Sequence, residues 1–519
     1  MNPLIRQTIL LAGLLTGIFG VSARAQNLDQ IGVTLLRTQT TNLDGSGIRV
    51  AQPEASAPAF EVNPASVGQP TNRFTYASAA GTATNYPNSV GSESGHADGV
   101  GANFYGMTGS GVATNVARVD NFDANYFVNT YVVSNLMVLN DSVVNQSFIF
   151  TETNGGHASV GEQQEIDSAY DDYAAQYGTL FISGAGNSGS VSPAATSYNG
   201  IGVAAYGGSS STGPTLDNGR CKPDITAPSG VTSFSTPQVS GAAAVLMQAA
   251  LRGDGGSDTN AAFDLRTIKA LLLNGAVKPA NWTNSNSSPL DARYGAGVLN
   301  VFNSYKQLAG GKYNPSATDF ILTGAAHPPI AVTNVVAANS GWNLQSISST
   351  ATNDAVNHYF FNATNGFVVA TLVWNRQLGK TNINDLDLFL YDCASSNLVA
   401  CSTSRVDNVE HIFFARLDAG SYDLQILKNG GTNVVSDNET YALAFAFAPT
   451  QLSLARTGTN AVLTWPVYPA GFCVEATTNL AAPTWSTNNF SATLTGSTNI
   501  LSVPMTNAAQ FFRLRSPNF

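Results

Sequence analysis

Between about Gly45 and Leu308, apolar runs typical of strands alternate with segments of helical spacing. The run IRVAQPEA (48–55) begins as a strand, and TLFISGAGN (179–187) is typical of a buried strand that ends in a glycine-rich turn. The segment GEQQEIDSAYDDYAAQYG (161–178) has apolar residues on one side of a helix. This alternation favours a mostly parallel sheet with helices on both faces. In such folds, functional side chains gather at the carboxyl edge of the sheet.

The second part of the chain has a different pattern. The segments Val239–Ala250 and Leu265–Asn274 are predicted as the last long helices. After about Gly311, runs such as DLDLFLYD (385–392) and SYDLQILK (421–428) are typical of strands between Asn, Gly and Ser turns. The predicted fold class is therefore α/β, followed by two all-β modules of the β-sandwich or jelly-roll type. We place the α/β domain at residues 26–312, a β-sandwich domain at 313–449 and a small C-terminal β module at 450–519.

The N-terminal residues have the pattern of an export signal. Arg6 supplies a positive charge, Ile9–Val21 supplies an apolar run, and Ala23-Arg24-Ala25 has the small-x-small pattern of a cleavage site. A membrane anchor is the alternative, but this run is short for a span, and no later stretch reaches a spanning length. We predict a signal peptide over residues 1–25 and a secreted protein, extracellular or periplasmic.

The composition limits the classes of molecule that this protein can bind. Charged residues form 11% of the chain, against about 25% in typical soluble domains, and the net charge is −10 with 23 Lys and Arg. No basic cluster is visible, which argues against nucleic-acid binding.

Export permits disulfides. Cys393 and Cys401 flank a short loop between predicted strands, so we predict that they pair, whereas Cys221 and Cys473 have no predicted partner.

One stretch joins a Ser/Thr cluster to a small-residue helix: SGVTSFSTPQVSGAAAVL (229–246). Ser and Thr side chains commonly cap the first turn of a helix, and Pro237 fits early helix positions that need no amide donor. The other interpretation is that Ser233 is a nucleophile at the positive end of the helix dipole. Taken alone, the stretch favours the cap.

Three further stretches place a polar residue among small ones. ISGAGNSGS (182–190) leads a buried strand into glycines around Asn187, whose amide can donate to a developing oxyanion or can simply close a turn. ESGHADGVG (93–101) puts His96 before small residues that let the backbone pass close to another element. CKPDITAPSG (221–230) predicts a rigid connection into the serine-containing stretch.

In their order along the chain, these motifs resemble those of the subtilisin-like serine proteases, the subtilases or peptidase S8 family. TSFSTPQVSG resembles the family's nucleophile box, KPDITAP the segment before it, and RYGAGVLNV (293–301) the closing segment. The resemblance covers the strand–helix region and implies a subtilisin-like fold. It also implies that Ser233 is the nucleophile, His96 the general base and Asn187 an oxyanion donor.

The carboxylate position departs from the family. RVAQPEA (49–55) puts Glu54 where the family has an aspartate at the end of the first strand. A glutamate can hydrogen-bond the far nitrogen of His96, but its extra methylene requires a shift of about 1 Å, which can cost roughly 100-fold in rate. Asp44 and Asp98 are weaker substitutes.

The sequence predicts a secreted serine endopeptidase that hydrolyses proteins or peptides through an acyl-enzyme intermediate, with Glu54 orienting the histidine. The alternative is a catalytically impaired subtilase-like scaffold that acts as an exported binding or adhesion protein. Two departures from the family motivate this alternative. One is Glu54. The other lies between APS and TSFSTP, where the family has a longer segment that lines the substrate pocket and this chain has almost none. An α/β-hydrolase-type esterase fits less well, because no Gly-x-Ser-x-Gly surrounds Ser233 and the histidine precedes the serine.

We expect a monomer that requires no cofactor and keeps no membrane segment after signal cleavage. A structural calcium site is one interpretation of Asp385 and Asp387, which point the same way on a predicted strand. A solvated strand face explains the same pattern.

Overall fold

The computed structural model describes residues 27–55, 57–134, 136–150, 158–432, 434–449, 451–487, 491–506 and 509–515. The predicted signal peptide lies outside the described residues. Within them, no helix combines the length and apolar character that crossing a membrane requires.

The α/β region is built on a central sheet. Its strands are β1 (Arg49–Glu54), β2 (Ala59–Glu61), β3 (Phe74–Ser78), β4 (Gly81–Ala83), β5 (Ser92–Glu93), β6 (Arg118–Asp123), β7 (Val143–Gln146), β8 (Leu180–Gly184), β9 (Ile201–Tyr206) and β10 (Ile225–Pro228). Eight of them form one sheet in the order β10-β9-β8-β7-β1-β6-β3-β4, and β2 pairs with β5. Neighbours in the large sheet are parallel, except that β3 and β4 are antiparallel at one edge.

Helices follow the strands along the chain. They are α1 (Val33–Gln39), α2 (Gly95–Phe104), α3 (Ala124–Phe127), α4 (Val160–Tyr177), α5 (Thr232–Leu251), α6 (Thr259–Phe263), α7 (Leu265–Gly275) and α8 (Val301–Ala309); Thr71–Arg73 is a 3₁₀ turn, and Val128–Val133 continues α3 as a π-helical turn. The predicted mostly parallel sheet with helices is confirmed. One apolar core, which includes Val50, Phe181 and Leu246, joins the sheet to the helices.

The rest of the chain forms antiparallel sheets. The strands are β11 (Ala317–Leu322), β12 (Ser340–Ser348), β13 (Asn353–Ala363), β14 (Gly366–Trp374), β15 (Leu386–Asp392), β16 (Leu398–Ser402), β17 (Val409–Leu417), β18 (Gly420–Lys428), β19 (Asn438–Pro449), β20 (Ser453–Thr457), β21 (Asn460–Pro466), β22 (Cys473–Thr477), β23 (Ser486–Thr487), β24 (Thr493–Thr495), β25 (Thr498–Pro504) and β26 (Phe511–Arg515). The first sheets are β11-β13-β18-β15-β16 and β12-β19-β14-β17, around a shared core. The last strands form two smaller sheets, β20-β21-β25-β24 and β23-β22-β26. The predicted all-β character of this part is confirmed.

The predicted Cys393–Cys401 disulfide is wrong: both residues are free thiols, as are Cys221 and Cys473. Cys401 lies on β16 opposite Phe389, whereas Cys393 follows the end of β15, where its amide donates to the Ser421 carbonyl. Strand pairing fixes Cys401 beside the middle of β15 rather than beside its end. A short loop in sequence therefore does not bring the two sulfurs together.

The described ranges contain no group of three or more His, Cys, Asp or Glu side chains placed to hold a metal ion. Asp387 Oδ2 accepts a hydrogen bond from Asn429 Nδ2 at 3.0 Å, and burial raises the pKa of Asp387 to about 7. The structural calcium ion stays a prediction.

A buried arginine connects the β-sandwich to the α/β domain. Arg376 follows β14, and its guanidinium donates to Asp171 Oδ2 on α4 at 3.0 Å and to the Ser168 carbonyl at 2.7 Å. Its backbone amide donates to Asn199 Oδ1 at 2.8 Å. The side chains of Arg376 and Asp171 are 4% and 1% exposed, and the guanidinium also lies 3.2 Å from Asp172 Oδ1, so these charges compensate one another.

We predict that Arg376→Met lowers the free energy of unfolding by about 3–5 kcal/mol, because it leaves the buried carboxylate of Asp171 without its cation. Urea denaturation of the full chain measures this loss. Arg456→Met, at an exposed position on β20, is the matched control and should change stability by less than about 0.5 kcal/mol. Equal effects of the two substitutions would contradict the prediction.

Candidate active site

Glu54 and His96 meet at the carboxyl edge of the sheet. Glu54 is the last residue of β1 and is 1% exposed. His96 is the second residue of α2, whose first turn is capped by Ser94 Oγ, which accepts from the Ala97 amide. His96 Nδ1 lies 2.9 Å from Glu54 Oε2. The glutamate therefore reaches the imidazole despite its extra methylene.

The other two carboxylates considered for this position have different partners. Asp44 Oδ1 accepts from the amide and hydroxyl of Ser46. Asp98 Oδ1 accepts from the Asn63 amide at 2.7 Å. Burial raises the pKa of Asp98 to about 6. Neither is hydrogen-bonded to His96 in the described part of the chain.

A buried glutamine holds the second oxygen of Glu54. Gln52 Nε2 donates to Glu54 Oε1 at 3.0 Å and to the Ala97 carbonyl at 3.0 Å. The Tyr105 hydroxyl donates to Gln52 Oε1 at 2.5 Å. These three contacts fix the orientation of the Gln52 amide, because its nitrogen meets two acceptors and its oxygen meets a donor. Tyr105, Gln52, Glu54 and His96 therefore form a continuous hydrogen-bonded chain.

The electrostatics of this chain favour the imidazolium form of His96. Burial opposes a charge on the ring, but the charge of Glu54 and its hydrogen bond to Nδ1 outweigh burial and raise the pKa of His96. The ring is still reachable from solvent, with its side chain 12% exposed. A raised pKa means that His96 becomes a neutral base only at a higher pH than an unperturbed histidine.

Asn187 organises the start of α5, which begins at Thr232 rather than at the predicted Val239. The N-cap residue is Val231, and no side chain within the stretch caps the helix. Instead, Asn187 Oδ1 accepts from both the amide and the hydroxyl of Thr232 at 2.9 Å. Since both contacts require an acceptor, Nδ2 is left on the other side of the amide as a donor. The cap expected from the local Ser/Thr cluster comes from the glycine turn after β8.

Pro237 lies inside α5 and not among the early positions that need no amide donor. As the sixth helical residue, it leaves the carbonyl of Ser233 without the usual i+4 donor. Ser147, just beyond β7, replaces it: Ser147 Oγ donates to the Ser233 carbonyl at 3.0 Å. The backbone of Ser233 is thus held by a neighbouring strand end.

The residue after Ser233, Phe234, packs beside His96. The Phe234 ring is 5.9 Å from the His96 ring between centroids, so α2 and the start of α5 pack at these residues. Ser233 itself is half-buried. Among the hydrogen bonds of the described residues, none joins Ser233 Oγ to His96. Catalytic hydrogen bonds are often formed only when substrate is bound.

Part of the chain matches a known protein family. Residues 77–297 match the model of the subtilase family. The match includes His96, Asn187 and Ser233, whereas Glu54 precedes it.

Three solved proteases are similar to this chain. The prenylagaramide maturation protease PagA is 19% identical over 54% of this chain and 99% of its own, with a TM-score of 0.36. The serine protease of Aeromonas sobria is 14% identical over 91% of this chain and 88% of its own, with a TM-score of 0.36. A protease from Pseudoalteromonas arctica is 16% identical over 55% of this chain and 97% of its own, with a TM-score of 0.36.

Gln52 and Ser147 contact the candidate site residues, Tyr105 contacts Gln52, and the sequence analysis missed all three. A signal for Gln52 was present, because residues i and i+2 of a strand share a face and Gln52 precedes Glu54 by two positions. Tyr105 and Ser147 carry no comparable signal, since their roles depend on how α2 and the end of β7 approach their partners.

We predict that Gln52→Leu lowers kcat about tenfold or more with little change in KM, because Glu54 loses the donor that orients it toward His96. Steady-state hydrolysis of a chromogenic peptide separates the two constants. Gln163→Leu, another buried glutamine in the same domain, is the matched control. A fall in kcat that is the same for both variants would show that Gln52 acts only through general stability.

The pH profile tests the raised pKa of His96. Because the base must be neutral, kcat/KM should rise with pH through a midpoint above about 6.5, the ordinary histidine value. Glu54→Gln removes the charge that raises the pKa, so the midpoint should move to lower pH while the rate falls, by about 10⁴-fold if the wrong tautomer results. A wild-type midpoint at or below the ordinary value, or an unchanged midpoint in the variant, would contradict this electrostatic account.

Proposed function

We propose that this protein is a secreted serine endopeptidase that cleaves peptide bonds in proteins or peptides. The observation that carries the proposal is the hydrogen bond between Glu54 and His96 beside the helix start that contains Ser233. The subtilase family match supports a serine-type peptidase. Secretion rests on the predicted signal peptide.

In the proposed reaction, His96 Nδ1–H donates to Glu54, which leaves Nε2 as the proton acceptor. Nε2 takes the proton from Ser233 Oγ while the Oγ–carbon bond forms at the scissile carbonyl. The tetrahedral intermediate collapses as the carbon–nitrogen bond breaks, and His96 gives its proton to the leaving amine. Water then repeats the sequence on the acyl-enzyme and releases Ser233 and the acid product.

Two donors are available for the developing oxyanion. Asn187 Nδ2 is the free end of an amide whose oxygen is occupied by Thr232. The amide of Ser233 belongs to the first turn of α5, where N–H groups have no carbonyl partner within the helix. Preorganised donors of this kind are worth about 10²–10³ in kcat each.

In this mechanism Gln52 is a positioning residue. It contacts neither Ser233 nor His96, and it acts by holding Glu54 Oε1 while Oε2 bonds the imidazole. The long glutamate side chain has more rotatable bonds than an aspartate. A second anchor on its carboxylate compensates for that added freedom.

The second candidate is an exported binding protein on a catalytically impaired subtilase scaffold. The absence of a hydrogen bond between Ser233 Oγ and His96 among the described residues favours it, together with the short connection from Pro228 to Thr232 where a longer pocket-lining segment was expected. In this case the β-rich modules would carry the function.

Fluorophosphonate labelling separates the two candidates. We predict that the mature wild-type protein labels at Ser233, that Ser233→Ala abolishes labelling, and that His96→Ala slows it by about 10³-fold or more. Ser235→Ala, a neighbouring buried serine of α5, is the control that should keep labelling. A folded wild-type protein that does not label would overturn the endopeptidase proposal and support the binding protein.

A further inference from the structure

Two adjacent cavities lie where the α/β domain, the β-sandwich and the C-terminal strands meet. Their volumes are about 240 and about 420 Å³. Both are lined by Val277, Lys278, Pro469, Ala470 and Phe472. The smaller cavity is also lined by aromatic side chains from β14 and β17, and its basic lining residues are the buried Lys278 and the exposed Arg416.

Lys278 is the unusual member of this lining. It is 2% exposed, and its ammonium donates to the Ala296 carbonyl. The Nζ atom lies 4.8 Å from the centroid of the Trp282 ring and 5.6 Å from that of Phe413. Aromatic faces attract a cation, but they carry no net negative charge. Burial alone lowers the pKa of Lys278, and within the described ranges no carboxylate forms an ion pair with it.

The other polar groups near this lysine do not provide the missing anion. His411 on β17 is 1% exposed; its Nδ1 bonds Thr371 Oγ1 at 2.8 Å, and its Nε2 has no hydrogen-bond partner among the residues that the structure describes. Burial and the charge of Lys278 both lower the pKa of His411. Arg416 lines the smaller cavity and is exposed, and Asp29 lines the larger one and is also exposed.

We propose that this junction cavity binds a small monocarboxylate with an apolar body, whose carboxylate pairs with Lys278 while its body packs on the aromatic wall. Burial without a countercharge disfavours the protonated form of Lys278, and a bound carboxylate stabilises that form. Ligand pockets typically combine mostly apolar walls with a few placed polar groups, as this cavity does. The site is separate from the Glu54–His96 pair and does not depend on peptide hydrolysis.

The size of the cavity supports a ligand with one ring or a short chain. A dry cavity of about 150 Å³ in another protein accommodates benzene. The smaller junction cavity, at about 240 Å³, therefore has room for a benzene ring with a carboxylate. Benzoate is accordingly the probe of choice, and benzamide is its uncharged counterpart of nearly the same shape.

Isothermal titration calorimetry of the full chain carrying Ser233→Ala tests the proposal without self-cleavage. Benzoate should bind with one site per chain, and benzamide should bind roughly 10- to 100-fold more weakly, which is the worth of a hydrogen bond to a charged group. Lys278→Met should weaken benzoate by the same factor. The matched control is Lys380→Met, at an exposed lysine, which should leave the affinity unchanged.

Two further measurements keep the test decisive. Ala470→Leu fills the cavity from the C-terminal side while retaining the lysine, so it should also abolish benzoate binding. The melting temperature of Lys278→Met should not fall, since the substitution replaces a buried amine, which has no carboxylate partner among the described residues, with an apolar side chain of similar length. No benzoate binding to the parent chain, or equal binding of benzoate and benzamide, or equal binding with and without Lys278, would overturn the proposal.

Discussion

The hydrogen bond between Glu54 Oε2 and His96 Nδ1 is the interaction on which the candidate site depends. It joins the end of a central strand to the first turn of a helix, so it sets both the tautomer and the orientation of the imidazole. The carboxylate is long, and it is held at its second oxygen by Gln52, whose own amide is fixed by Tyr105. The strand that carries Glu54 therefore also supplies the anchor for its carboxylate.

The start of α5 is a second feature that depends on residues from other parts of the chain. A helix that begins with Thr232 has no side-chain cap of its own, and it contains Pro237, which removes a donor from the Ser233 carbonyl. Both deficiencies are corrected from outside the helix, by Asn187 after β8 and by Ser147 after β7. The carboxyl ends of two neighbouring parallel strands therefore hold the backbone around the serine. This explains how a helix that lacks its own side-chain cap and contains a proline can present the Ser233 hydroxyl near its N-terminus.

Much of this arrangement could be predicted from local patterns. Strand and helix periodicities indicated the parallel sheet and the later β modules, and the resemblance to the subtilases implied that Glu54 lies close to His96. Apart from Gln52, the residues and contacts that were missed required tertiary information. The start of α5 was predicted at Val239 instead of Thr232 because its cap comes from Asn187, which is more than 40 residues away in the sequence. The Cys393–Cys401 pairing failed because the register of β16 against β15 separates the sulfurs. The Lys278 cavity is formed by three separate regions of the chain, and no sequence window contains it.

The most direct test of the central claim is an NMR titration of the histidine rings in protein labelled at its five histidines, with His96 assigned through His96→Gln. We predict a pKa of His96 above the ordinary value of about 6.5, and a lower pKa when Glu54 is replaced by Gln. A His96 pKa at or below the ordinary value in the wild-type protein, unchanged by that substitution, would contradict the account.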